Sequence, residues 1–132
     1  MIYFDSCIVI YLVERHPLFA SNIEEKLSFL DRETALVISP LVRLEVLVKP
    51  LRNVNNSLLL RYEQFLDILQ ILPIPAAIYE IALSLRVQYN LKTPDALHLA
   101  TAQFHRCQQL WTNDERLAIA AKELAVNILT RH

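Results

Sequence analysis

Thr93 to Asp114 reads TPDALHLATAQFHRCQQLWTND. Thr93 is expected to cap a helix whose first position is Pro94, with Asp95 in the first turn, and this alanine-rich helix runs on to about Cys107. Gln109–Thr112 then reads as a short strand, and Asp114 arrives as that strand ends. A helix feeding a strand, with a carboxylate at the start of each following helix, is the pattern of an α/β chain. It also delivers two acids toward one edge of one sheet.

Working outward, the same alternation extends in both directions. Ile2–Phe4 is a β-prone run followed by Asp5-Ser6, and Cys7–Val13 continues as an apolar segment to Pro17. A helix from about Ser6 is predicted there, capped by Asp5 or Ser6 and deeply packed because it is apolar nearly all round. Ser21–Arg32 reads as a helix with Ser21 as cap and Glu24 completing a capping box. Ala35–Ser39 is the next strand, and Pro40–Val48 a helix that Pro50 should end. Asn55-Asn56-Ser57 precedes a helix at Leu58–Leu69. Ile71–Ile74 reads as a buried strand, Ala76–Tyr89 as a helix opened by Pro75, Asp114–Leu124 as another, and Val126–Leu129 as the last strand.

Strands alternating with helices predict a mostly parallel sheet of about five strands, covered on both faces. Right-handed crossovers gather the loops leaving the strand C-termini along one edge, where α/β proteins bind ligands. Four acids are predicted at that edge: Asp5, Asp95, Asp114, and Glu45, the last about a turn and a half into its helix.

The bulk properties narrow the function classes. The chain has 132 residues, 54% of them hydrophobic, which fits a single domain over 1–132 and excludes disorder. No apolar run approaches the roughly 20 residues of a membrane span. The N-terminus lacks the features of a secretory signal, and Cys7 and Cys107 have neither metal-binding spacing nor the number for a disulfide framework, so a cytoplasmic location is expected. A net charge of −1 gives little overall attraction to a polyanion, so local basic residues or bound metal would have to supply it. Glycine is absent, which leaves turns to Pro, Asn, Asp and Ser.

Each acid also has a purely structural explanation. Asp5 and Asp114 can cap helices, Asp95 favours a helix dipole, and Glu45 can pair with Lys49 one turn on. Capping does not explain why acids follow three separate strands while a fourth sits in an apolar helix. Converging carboxylates repel unless protons or cations intervene. Hard divalent ions, Mg²⁺ or Mn²⁺, suit an oxygen-only set and point to phosphodiester hydrolysis.

Asp5-Ser6, Glu45 within SPLVRLEVL, TPDALHLA at 93–100 and Thr112-Asn113-Asp114 together resemble the four motifs of PIN-domain ribonucleases, and most nearly the VapC toxins of toxin–antitoxin pairs. The resemblance spans nearly the whole chain in the right order. It implies an α/β/α sandwich with sheet order 3-2-1-4-5 and a Mg²⁺- or Mn²⁺-dependent endoribonuclease. It further implies Asp5, Glu45, Asp95 and Asp114 as metal-binding carboxylates, a homodimer, and inhibition by a small cognate antitoxin. The chain departs from the family pattern at Cys7, where relatives often carry Asn, and at His98 and His105.

Ser6, Thr112 and Asn113 are candidates for orienting carboxylates or water, with capping and strand-end roles as the alternatives. His98, one turn beyond Asp95, is either a packed histidine or a contact for RNA or a partner. Arg43, Lys49, Arg52 and Arg61 form the one locally basic window and are candidate RNA contacts, or else a solvated helix face; Arg86, Lys92 and Arg116 are further candidates. Single-stranded RNA is the expected substrate form. The competing reading is a catalytically silent PIN-like module that binds RNA or protein. A haloacid-dehalogenase-type phosphatase would need an Asp where Cys7 stands, and a receiver domain an acidic pair near the first strand and a late Lys.

Overall fold

The computed structural model describes residues 1–127. Five parallel strands form one sheet in the order β3-β2-β1-β4-β5: β1 Ile2–Phe4, β2 Leu36–Ile38, β3 Gln70–Ile71, β4 Gln109–Thr112 and β5 Ala125–Asn127. β1 lies at the centre, with Ile2 opposite Leu36 on one side and Gln109 on the other. The last two residues of the predicted strand Val126–Leu129 lie outside the described residues.

Helices α1 (Ser6–Val13), α2 (Phe19–Ser28), α3 (Pro40–Arg52) and α4 (Asn56–Asp67) join strands stepping one way from β1. Helices α5 (Ala76–Tyr89), α6 (Thr93–Phe104) and α7 (Glu115–Ala121) serve the steps the other way. Right-handed crossovers place the two sets on opposite faces, and the helices pack accordingly: α1 on α2 and α3, α5 on α6, α6 on α7. The product is the three-layer α/β/α sandwich. Tyr3, Phe4, Val37, Ile38 and Leu110 are fully buried in the sheet, as expected of parallel strands covered on both faces.

Several local expectations are corrected. α2 begins at Phe19, and Ser21 does not cap it, because the His16 ring already accepts the N–H groups of Leu18 and Phe19 through Nδ1. α3 does not stop before Pro50 but continues to Arg52. Pro50 falls in the last turn, where its missing N–H forfeits a single helical bond, and it is buried. α6 starts at Thr93 with Lys92 as the capping position, so the Thr93 side chain caps nothing, and the helix ends at Phe104. β3 is a two-residue exposed strand at the sheet edge, not a buried one at Ile71–Ile74, and Pro73 and Pro75 prevent its extension. α1 is capped as predicted, with Asp5 accepting from the Cys7 N–H.

Candidate active site

The C-terminal ends of β1 and β4 deliver Asp5 and Asp114, α6 delivers Asp95 in its first turn, and α3 delivers Glu45 from its second. All four line one cavity of about 370 Å³, together with Ser6, Cys7, Tyr11, His98 and Asn113. The structure therefore brings together the four acids and two of the three helper candidates, Ser6 and Asn113. The third, Thr112, is fully buried beneath them.

Asp5 is the most buried of the four acids, at 6% exposure. Its Oδ1 accepts the Cys7 N–H at 2.7 Å, and its Oδ2 accepts from the Thr112 hydroxyl. Thr112 Oγ1 in turn accepts the Asp114 N–H at 3.0 Å, so one hydroxyl ties together the ends of two neighbouring strands. Asp114 caps α7 through Oδ1 on the Leu117 N–H, which leaves Oδ2 without a protein partner among the described residues. The structural and functional readings of Asp5 and Asp114 thus coexist, since capping uses one oxygen of each.

Glu45 is held from two sides. The Ser6 hydroxyl donates to Oε1 at 2.7 Å, and His98 Nε2 lies 2.7 Å from the same oxygen. Burial works to raise the Glu45 pKa, but the bonds from His98 and Ser6 outweigh it and hold the carboxyl below its usual range. An ionised carboxylate only accepts, so Nε2 carries the hydrogen. Nδ1 in turn is hydrogen-bonded to the Tyr3 hydroxyl at 2.7 Å, and that hydroxyl to Ser39 Oγ at 2.8 Å.

Asp95 has the opposite electrostatics. Burial first, then the charges of Asp114 and Asp5, raise its pKa. The Cys7 thiol is also pushed up, by burial and then by the Asp5 charge, so it stays protonated. Its backbone N–H supports Asp5 whatever the side chain. Asn113 does not touch a carboxylate: its Nδ2 donates to the Tyr11 hydroxyl, and its Oδ1 is buried without a partner among the described residues.

The profile of the PIN domain matches residues 2–123. The chain belongs to the PIN-domain family. Comparison with curated protein sequences gives no significant match. Among solved structures, this PIN domain is similar to a toxin–antitoxin complex from Klebsiella pneumoniae, at 28% identity and a TM-score of 0.78, with 97% of this chain and 98% of that one covered. FitAcB from Neisseria gonorrhoeae aligns at 21% identity and a TM-score of 0.79, covering 97% and 98%. Mycobacterium tuberculosis VapC20, described as a sarcin-ricin loop cleaving toxin, aligns at 14% identity and a TM-score of 0.76, covering 93% and 98%. The last two likenesses speak to the fold alone.

The basic window of this PIN domain is largely engaged elsewhere. Lys49 does not pair with Glu45 but with Glu14, at 2.7 Å, and Arg61 donates to the Val13 carbonyl at 3.2 Å. Arg43 lies 3.7 Å from Glu63. Arg52 is exposed and has no protein partner among the described residues. An adjoining cavity of about 490 Å³ shares Asp95 and Asp114 and is lined by Lys92 and Arg116, both exposed. These two cations thus share a cavity wall with two of the acids. Arg86 instead donates to the Leu91 carbonyl.

His98 is the site residue that sequence reasoning left unassigned. The available signal was a histidine on a helix otherwise buried with Ala96, Leu97, Leu99 and Ala100, where an imidazole must find a partner.

Among the described residues, no three acidic, histidine or cysteine side chains are gathered tightly enough to enclose a metal ion by themselves. The donor chemistry nevertheless fits a hard cation. The set is carboxylate oxygen, several of those oxygens are unpartnered, and Mg²⁺ usually takes one or two carboxylates with water and substrate phosphates completing its shell. No helix among the described residues is long and apolar enough to cross a membrane.

Proposed function

We propose that the protein is a divalent-metal-dependent endoribonuclease, the toxin of a type II toxin–antitoxin pair. The observation that carries this reading is the convergence of Asp5, Glu45, Asp95 and Asp114 from four elements onto one open cavity. Likeness to a toxin–antitoxin complex along nearly the whole chain supports the biological setting.

Asp5, Glu45, Asp95 and Asp114 would hold Mg²⁺ or Mn²⁺, which when bound supplies charge neutralisation at the scissile phosphate and an acidified water. The residues of the chain prepare the ground for it. Thr112 and the Cys7 N–H fix Asp5, and Ser6 holds Glu45. The burial and then the neighbouring charges of Asp114 and Asp5 that raise Asp95 give the set its electrostatic reason to take up a cation. Lys92 and Arg116 are placed to meet flanking phosphates of a single strand, with exposed Arg52 and Arg43 further along α3; Lys49 and Arg61 would have to leave internal partners to do so.

The exposed apolar residues Tyr79, Leu83 and Val87 along α5, and Leu44, Val48 and Leu51 along α3, offer surfaces for a second copy and for a small antitoxin. The spacing of the acids favours a second reading, a silent RNA- or protein-binding module. RNA cleavage with and without EDTA, beside Asp5→Asn and Asp95→Asn, decides between them. Cleavage that stops on chelation and in both variants is expected. Cleavage surviving either treatment refutes the metal mechanism, and binding without any cleavage establishes the silent module.

A further inference from the structure

We propose that His98 is a positioning residue that presents Glu45 to the cation, an inference that rests on the metal reading above. The two bonds on Glu45 both fall on Oε1, from Ser6 and from His98, each at 2.7 Å. Oε2 has no protein partner among the described residues, yet it is not a buried unpaired atom. It therefore reaches the open cavity that Glu45 lines. The protein binds one oxygen of the carboxylate and leaves the other for a ligand.

A free glutamate side chain is flexible, and ordering it costs rotamer entropy. A bond to another mobile side chain would not remove that cost. His98 is not mobile: it is 2% exposed, and its Nδ1 is fixed by Tyr3, which is fully buried in the central strand and fixed in turn by fully buried Ser39 at the end of β2. The relay Ser39–Tyr3–His98–Glu45 thus transmits the rigidity of the sheet to a residue on α3. His98 also stands three residues after Asp95 on α6, so one helix sets the positions of two of the four acids.

The test is Mn²⁺ binding to the intact protein, followed by electron paramagnetic resonance of the free ion, with melting temperature recorded in parallel. His98→Leu removes the donor at similar bulk, His98→Gln restores an N–H, and Tyr3→Phe removes only the anchor of the ring. His98→Leu is expected to weaken Mn²⁺ binding about tenfold or more, as loss of outer-shell partners of metal ligands does, with His98→Gln recovering most of it and Tyr3→Phe falling between. In a Glu45→Gln background, His98→Leu should weaken binding no further.

Folded His98→Leu protein that binds Mn²⁺ like the wild type overturns the proposal, as does an equal loss in the Glu45→Gln background. Should His98→Leu not fold, unchanged binding by Tyr3→Phe overturns it as well. Wild-type protein that takes up no Mn²⁺ at millimolar concentration overturns the metal reading, and this proposal with it.

Discussion

Replacing Thr112 with valine should destabilise the protein although every generic rule favours the change. Thr112 is fully buried in β4, valine has nearly the same shape, and both hydrophobicity and strand propensity prefer it there. The hydroxyl, however, donates to Asp5 Oδ2 and accepts the Asp114 N–H. A hydrogen bond to a charged group contributes about 1.5–3 kcal/mol, and Asp5 is too buried for water to replace the donor. The Asp114 N–H belongs to an exposed residue and can be rehydrated, so its loss adds about 0.5 kcal/mol or less. A net destabilisation of roughly 2–3 kcal/mol follows for Thr112→Val.

With unfolding entropy near 2.1 cal/mol/K per residue, 132 residues give about 4 °C per kcal/mol, hence a melting temperature roughly 7–11 °C lower. Thr112→Ser keeps the hydroxyl and deletes a buried methyl, which costs about 1 kcal/mol. Thermal denaturation followed by circular dichroism, in chelator, should rank wild type above serine above valine. A valine variant melting at or above the wild type would refute the hydroxyl bridge between the two strand ends.

Asp95→Asn should stabilise the metal-free protein at neutral pH, by a few degrees of melting temperature. Because burial and then the Asp114 and Asp5 charges raise the Asp95 pKa, the folded state retains a proton that the unfolded chain has lost. That contribution is fully present below the unfolded carboxylate pKa of about 3.9 and is lost as pH rises through the folded value. Melting curves across that window in chelator should show a decline in the wild type that the variant lacks; parallel curves would refute the electrostatic assignment. Val54→Asn should add about 1 kcal/mol without affecting RNA cleavage, since Val54 is exposed and sits at φ 49°, where a β-branched residue is strained and asparagine is tolerated. An unchanged denaturation midpoint would count against that strain.

The parallel sheet and the meeting of the four acids at its edge were legible because both follow from alternation and crossover handedness, which are local patterns and a global rule, whereas the order of the strands came from the resemblance of the motifs. Partner choice was not. Lys49 is one turn from Glu45, and helical spacing predicts that pair, yet Lys49 bonds Glu14, 35 residues away. His98 reaches Glu45 across 53 residues, a contact that no periodicity encodes. The start of α2 and the end of α3 depart from capping rules for a related reason. Capping rules weigh side chains near an expected boundary, whereas His16 supplied the acceptor for α2 from outside it, and burial of Pro50 outweighed its local cost in α3.

The brevity of β3 has a consequence for how the molecule meets other proteins. An edge strand normally offers a ladder of unpaired backbone groups onto which a foreign chain can zip. Here the ladder has two residues, the next N–H is already spent on Ile38, and Pro73 and Pro75 present no donors at all. Association on that flank must proceed through helix side chains, whose identities can distinguish one companion from another. A blunted rim makes that flank selective about its company and resistant to runaway self-templating.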